Sequence, residues 1–190
     1  MKHKMSAAPE APVLHYAVPV GRLPEKGLTV TIEADERELS ALAVVHGLEK
    51  VRALRAELHL SRWKKGGVRV RGTVKASITQ NCVVTLDPVD AAINERIDAL
   101  FLPDSSDLAR RGEEDDGGLM LDPEGPDLPE TFTGEALDAG AIAEEFFELA
   151  IDPYPRREGV ALPDTPAAQA AEAEAARSPF SSLADWKPKR

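Results

Sequence analysis

The residues Val68-Arg69-Val70-Arg71-Gly72-Thr73-Val74-Lys75-Ala76-Ser77-Ile78 alternate without a break. Val68, Val70, Gly72, Val74, Ala76 and Ile78 fall on one side of an extended chain, while Arg69, Arg71 and Lys75 fall on the other. A period of two with opposite chemistry on its two faces predicts a strand buried on one side only. The run before it, Leu54, Ala56, Leu58 and Leu60, keeps the same period, and Gly66-Gly67 stands beside the bend, so the two runs predict an antiparallel hairpin.

Working outward, a third run follows the turn signal Asp87-Pro88: Val89, Ala91, Ile93, Ile97, Ala99 and Phe101, interrupted only by Glu95. Upstream, Leu28, Val30, Ile32 and Ala34 alternate with Thr29, Thr31 and Glu33. Asp35 then supplies a helix cap, Glu36 and Glu38 suit the positive end of the dipole, and Leu39, Leu42, Ala43 and His46 carry helical spacing to about His46, before Gly47. A second helix starts at Asp138, with Ile142, Phe146 and Leu149 as its apolar row, flanked by Ala143, Phe147 and Ala150 and ended by Pro153 and Pro155. Together these predict an α+β fold, an antiparallel sheet or a partly closed β-barrel-like core with two main helices and a long acidic loop.

Residues 1–24 are expected to be a flexible Pro-rich lead, 25–157 a single domain with an acidic mobile insertion at 104–130, and 158–190 a Pro- and Ala-rich tail with a short helix at 167–176. The chain has 190 residues and a formal net charge of −10, which on its face argues against a nucleic-acid partner. The charge is unevenly placed. Between Lys50 and Lys75 nine basic residues oppose the single acid Glu57, a local net of +8, while 104–130 holds ten acids and two arginines, a net of −8. The whole-chain charge is therefore two opposed segments and does not bear against RNA.

One cysteine, Cys82, excludes an internal disulfide and fits a reducing cytoplasm. The N-terminal residues are charged but not apolar, and no stretch is long and apolar enough for a membrane span. The chain is thus expected to be cytoplasmic, without membrane or DNA partners.

The hairpin is the strongest chemical signal. Arg69, Arg71 and Lys75 share the solvent side with Arg55 on the neighbouring run, and the tip Arg62-Trp63-Lys64-Lys65 sets an aromatic ring among cations, suited to stacking on an unpaired base while the cations meet phosphates. The competing reading is a solvated face balanced by the acidic loop. That loop reads as a solubilising insertion in preference to a competitor for the RNA surface. No nucleophile elbow, phosphate loop or zinc-protease signature occurs. Glu144, Glu145, Glu148 and Asp152 are acids that a magnesium ion accepts, but their spacing predicts a solvated helix face. Cys82 reads as a small buried hydrophobe, with nothing near it in sequence to lower its pKa. No catalytic residue, metal or cofactor is expected. Phe180, Leu183 and Trp186 line one side of a short terminal helix, which either docks back on the domain or anchors in a partner's groove.

Gln80-Asn81-Cys82-Val83-Val84-Thr85-Leu86-Asp87-Pro88-Val89, followed by Ile97, Phe101 and Pro103, resembles the YceD family of large ribosomal RNA subunit accumulation proteins. Asp138, Ile142, Glu144, Glu145, Leu149, Pro153 and Pro155 match a second block of that family, and Ser178-Pro179-Phe180-Ser181-Ser182-Leu183 is similar to its closing motif. Cys82, Leu86, Pro88, Asp138, Glu145, Leu149, Pro153 and Pro155 are the motif positions, and Glu33–Lys75 looks like the alphaproteobacterial branch. Many members carry Cys-x-x-Cys in the first block; here the second position is Thr85, and one thiolate cannot make a structural metal site. The resemblance implies a ribosome biogenesis factor for synthesis, processing or accumulation of large-subunit (23S) ribosomal RNA, binding precursor RNA, a large-subunit ribosomal protein, or both. It brings no catalytic residues. The alternatives are a metal-dependent RNA-processing enzyme using Glu144, Glu145 and Glu148, and an adaptor that meets an acidic protein without RNA contact.

Overall fold

The structure, a computed structural model, describes residues 11–106 and 129–160. Most of the acidic insertion, the helix expected at 167–176, and Phe180, Leu183 and Trp186 lie outside the described residues.

The two alternating runs form β3 (Lys50–Arg62) and β4 (Val68–Asn81), paired antiparallel with Leu58 opposite Gly72 and Arg55 opposite Lys75. The third run is β5 (Pro88–Pro103), antiparallel to β4 from Asn81↔Pro88 to Val68↔Phe101. With β2 (Leu28–Glu33) on the other side of β3 and β6 (Glu130–Phe132) parallel to the end of β5, the sheet order is β2-β3-β4-β5-β6. The architecture is α+β, and the sheet is open rather than closed into a barrel. Gly72 interrupts the inward apolar row for a steric reason: a Cβ there would collide with the Glu57 carbonyl of β3.

The helix α1 (Glu36–Val45) begins as the sequence indicates. Asp35 accepts the N–H groups of Arg37 and Glu38, and the Glu38 carboxylate accepts the Asp35 N–H, a complete capping box. Asp138 likewise caps the helix α2 (Ala139–Leu149), accepting from Gly140 and Ala141. Leu54, Ala56, Leu58, Leu60, Val68, Val70, Val74, Ile78, Ile93, Ile97 and Phe101 form the inner face of the sheet, closed by Leu42 of α1 and by Ile142, Ala143 and Phe147 of α2. Burying each such aliphatic side chain contributes about 1.5–3 kcal/mol, enough to override weak local preferences.

Three expectations change. The stretch up to residue 24 is not a flexible lead throughout: Leu14, Val18 and Leu23 are buried, and β1 (Ala17–Pro19) pairs with β7 (Ala136–Asp138) in a small second sheet. Its few apolar side chains lie among prolines, so no periodicity announces them. Second, α2 buries Ile142 and half-buries Phe146 as expected, but the row does not reach Leu149, which is 74% exposed; the other buried apolar residues of the helix are Ala139, Ala143 and Phe147. Third, Glu144 is not on a solvated face. It is 5% exposed, because its side of the helix lies against residues 13–14.

Candidate nucleic-acid interface

The outer sheet face is built by strand alternation. Arg55 on β3, Arg69, Arg71 and Lys75 on β4, and Arg96 on β5 all project from it, since Arg71 stands opposite Asp98, Thr73 opposite Arg96 and Lys75 opposite Arg55. The neighbouring strands also bring acids. Asp98 takes Arg69 in a two-pronged contact, Nε to Oδ1 at 2.8 Å and Nη2 to Oδ2 at 2.9 Å, and Arg71 Nε approaches the same carboxylate at 3.3 Å. The hydrogen bonds from Arg69, joined by the charges of Arg69 and Arg71, hold the Asp98 carboxyl below its ordinary value against an opposing desolvation. Arg55 reaches Glu33 at 2.8 Å and Glu57 at 2.6 Å. Around these contacts Arg55, Arg69, Arg71, Lys75 and Arg96 stand against Glu33, Glu57 and Asp98, a net of +2 over these eight residues, and Arg52 pairs with Asp90 at 2.8 Å further along the sheet.

Lys75 and Arg96 make no ion pair among the described residues, and they are diagonal neighbours on β4 and β5. Arg96 was not visible as part of this group in the sequence, because it lies on β5 outside the basic segment. Only the register of β4 against β5 brings it in.

The hairpin tip is a 3-10 turn, Lys64–Gly66, held by Trp63 N–H to Gly67 O at 2.8 Å. Lys64 Nζ sits 5.9 Å from the Trp63 ring centroid, a cation–π contact. Arg62, at the exposed end of β3, is engaged within the chain: its Nε donates to Leu23 O at 2.8 Å, clamping the turn Val20–Arg22 to the hairpin. That clamp places exposed Arg22 beside the tip, a second cation the basic segment does not contain. Lys65 lies within the same turn.

The residues of the family-like motifs gather at other places. Cys82, fully buried, receives the Arg157 N–H at 3.5 Å, and its thiol is held down to about 6 by a hydrogen bond from Thr85 and by the N–H groups of Arg157, Thr85 and Val84. The expectation of an unperturbed thiol therefore fails, since Thr85 and the turn amides aim at the sulfur only once the turn is folded and Arg157 arrives from 75 positions away. Val83 N–H donates to Pro155 O at 2.9 Å, and Arg157 reaches Asp87 at 3.0 Å, so residues 155–157 run alongside the turn that joins β4 to β5. Leu86 in that turn has a left-handed backbone, φ 63°. Pro88 opens β5 opposite Asn81, Pro153 and Pro155 follow α2, and Leu149 is exposed.

Asp138 is held below its ordinary value. Burial opposes this, but His15 at 2.8 Å and the N–H groups of Tyr16, Gly140 and Ala141 outweigh it, and Asp138 in turn raises the pKa of His15. Glu144 Oε2 accepts the N–H groups of Val13 and Leu14 at 2.7 and 2.8 Å, and its Oε1 lies 3.3 Å from His46 Nε2. Glu145 is exposed and its charge, added to burial, raises the pKa of Glu130. Glu148 is exposed, with Oε2 4.0 Å from His46. Among the described residues no group of three or more His, Cys, Asp or Glu side chains is placed to hold a metal ion, and no helix is long and apolar enough to cross a membrane.

No curated protein and no solved structure matches the chain. A family model described as large ribosomal RNA subunit accumulation protein YceD matches residues 70–187, from within β4 through the Cys82 turn, α2 and on to Lys187. That span is more than half of the chain and contains all three motif blocks, so the chain belongs to the YceD family of large ribosomal RNA subunit accumulation proteins.

Proposed function

We propose that this chain acts in large-subunit ribosomal RNA accumulation as a non-enzymatic assembly factor that binds precursor RNA on the outer face of β3–β5 and at the hairpin tip. The observation that supports this most is the pair Lys75 and Arg96, cations without an acidic partner among the described residues on a face that is otherwise ion-paired. Unpaired surface cations are where a phosphate gains most, because no internal contact has to be given up. Arg22, Lys64 and Trp63 extend the contact past the end of the sheet. Arg69 and Arg71 serve mainly as the ion-paired frame of this face, and Arg62 holds the tip.

Of the carboxylates invoked for an enzyme, Glu145 and Glu148 are exposed, while Glu144 is engaged inside the fold. It bonds two backbone amides and neighbours a histidine, which supports a structural role for it.

The test is binding of precursor large-subunit RNA by the full chain as a function of salt, for wild type and the double variant Lys75→Glu with Arg96→Glu. Each lost phosphate contact lowers the slope of log K against log salt by about 0.7–0.9, so the double variant should lose about 1.5 from the slope. An unchanged slope with unchanged affinity would remove this face from the RNA. Depletion of the protein should reduce large-subunit RNA relative to small-subunit RNA.

A further inference from the structure

We propose that the C-terminal segment of this same chain, through Phe180, Leu183 and Trp186, seats on the apolar end of the domain formed by Val83, Leu86 and Tyr154. The end is unusual on two independent counts. Leu86 is 75% exposed, Tyr154 70% and Val83 45%, and the bonds from Val83 to Pro155 and from Arg157 to Cys82 and Asp87 place the turn 82–87 alongside residues 154–157. Leu86 is also the only non-glycine among the described residues with positive φ, a conformation that costs a residue with a Cβ and that asparagine or glycine would adopt more readily. A leucine held in that geometry and left facing water gains nothing within the described fold. A partner surface that covers it accounts for both features.

The occupant follows from where the chain goes. Val160 N–H still bonds Arg157 O at 3.2 Å, so the described residues reach their exit within a few positions of this patch. Nineteen residues, 161–179, separate that exit from Phe180. Nineteen residues reach at most about 65 Å, so the patch lies within the reach of the segment. A segment joined to the patch through the same chain is presented to it at an effective concentration of about millimolar, well above what a second copy of the chain supplies at ordinary dilution. Phe180, Leu183 and Trp186, three apart, supply three apolar side chains for three exposed ones. The family match also spans both the turn and the segment, ending one residue past Trp186.

The experiment is hydrogen exchange on the full chain and on a variant lacking residues 178–190. Deletion should speed exchange in peptides covering 82–87 and 152–157 at least tenfold, with β3 and β4 unchanged, and a synthetic peptide of residues 178–190 added in trans should restore protection. In the full chain Leu86→Asn, which suits the left-handed backbone and leaves the fold intact, should give the same loss, as should Tyr154→Ser. Unchanged exchange after deletion would overturn the proposal. So would a concentration-dependent dimer in sedimentation that Leu86→Asn abolishes, since the patch would then belong to a second copy.

Discussion

The Glu144 carboxylate accepts the backbone N–H of Leu14 at 2.8 Å across 130 positions of sequence. The same oxygen accepts Val13 N–H, and the other oxygen meets His46, whose ring packs edge-on against Phe147 with centroids 5.4 Å apart. One side chain on α2 therefore ties the N-terminal strand segment, the end of α1 and the helix itself together.

Glu144→Ala should lower stability by about 2–4 kcal/mol, because it leaves the buried N–H of Leu14 and the part-buried N–H of Val13 without an acceptor. Glu145→Ala, at an exposed neighbouring position, should stay within about 0.5 kcal/mol. Denaturant midpoints of the two variants check the difference. Equal effects would mean that the Glu144 contacts contribute nothing to folding.

Gly140 lies at the same junction, where a Cβ would come within 2.7 Å of Leu14 C and O and of Tyr16 N. Those are backbone atoms and cannot swing aside, so Gly140→Ala should cost about 1–3 kcal/mol despite the better helix propensity of alanine. Gly21→Ala, with nothing within 4 Å of the new Cβ, is the control and should leave the thermal midpoint nearly unchanged.

What the sequence disclosed follows the range of the interactions. The alternation in β3, β4 and β5 and the Asp35 and Glu38 capping box are local, and they specify the sheet and the start of α1 without reference to anything distant. The burial of Glu144 and the packing of Leu14 depend on a contact across 130 positions, and composition pointed the wrong way for both, while the low pKa of Cys82 needs the folded turn that aims Thr85 at the sulfur as well as Arg157 from 75 positions away. The candidate interface was half legible. The basic segment named Arg69, Arg71 and Lys75, but Asp98 and Arg96, which decide which cations are unpaired, come from β5 and enter only through strand register.

Cys82 has a folded pKa of about 6 against an ordinary value of 9.0. A group whose folded value is depressed contributes stability that is complete above its unfolded pKa and lost as pH falls through the folded one. Stability should therefore rise between about pH 6 and pH 9, and Cys82→Ser should flatten that rise. Thr85→Val removes the strongest donor to the sulfur and should move the thiolate titration, followed by its ultraviolet absorbance, toward higher pH. A titration that stays in place would show that Thr85 does not set it.

Asp98 engages two arginines of the proposed RNA face at once. Replacing it with asparagine keeps the shape of the side chain and removes the charge, so Arg69 and Arg71 become available to phosphate and the face gains one unit of positive charge. Asp98→Asn should bind precursor RNA more tightly at low salt and with a steeper salt slope, by up to about two contacts' worth, or roughly 1.5 in the exponent. The pair with Asp98 is solvent-exposed, and exposed pairs contribute about 0–1 kcal/mol, so the variant should remain folded with little change in midpoint. An RNA affinity that stays level while the fold is intact would mean that the phosphates do not reach Arg69 and Arg71, confining any contact to Lys75, Arg96 and the tip.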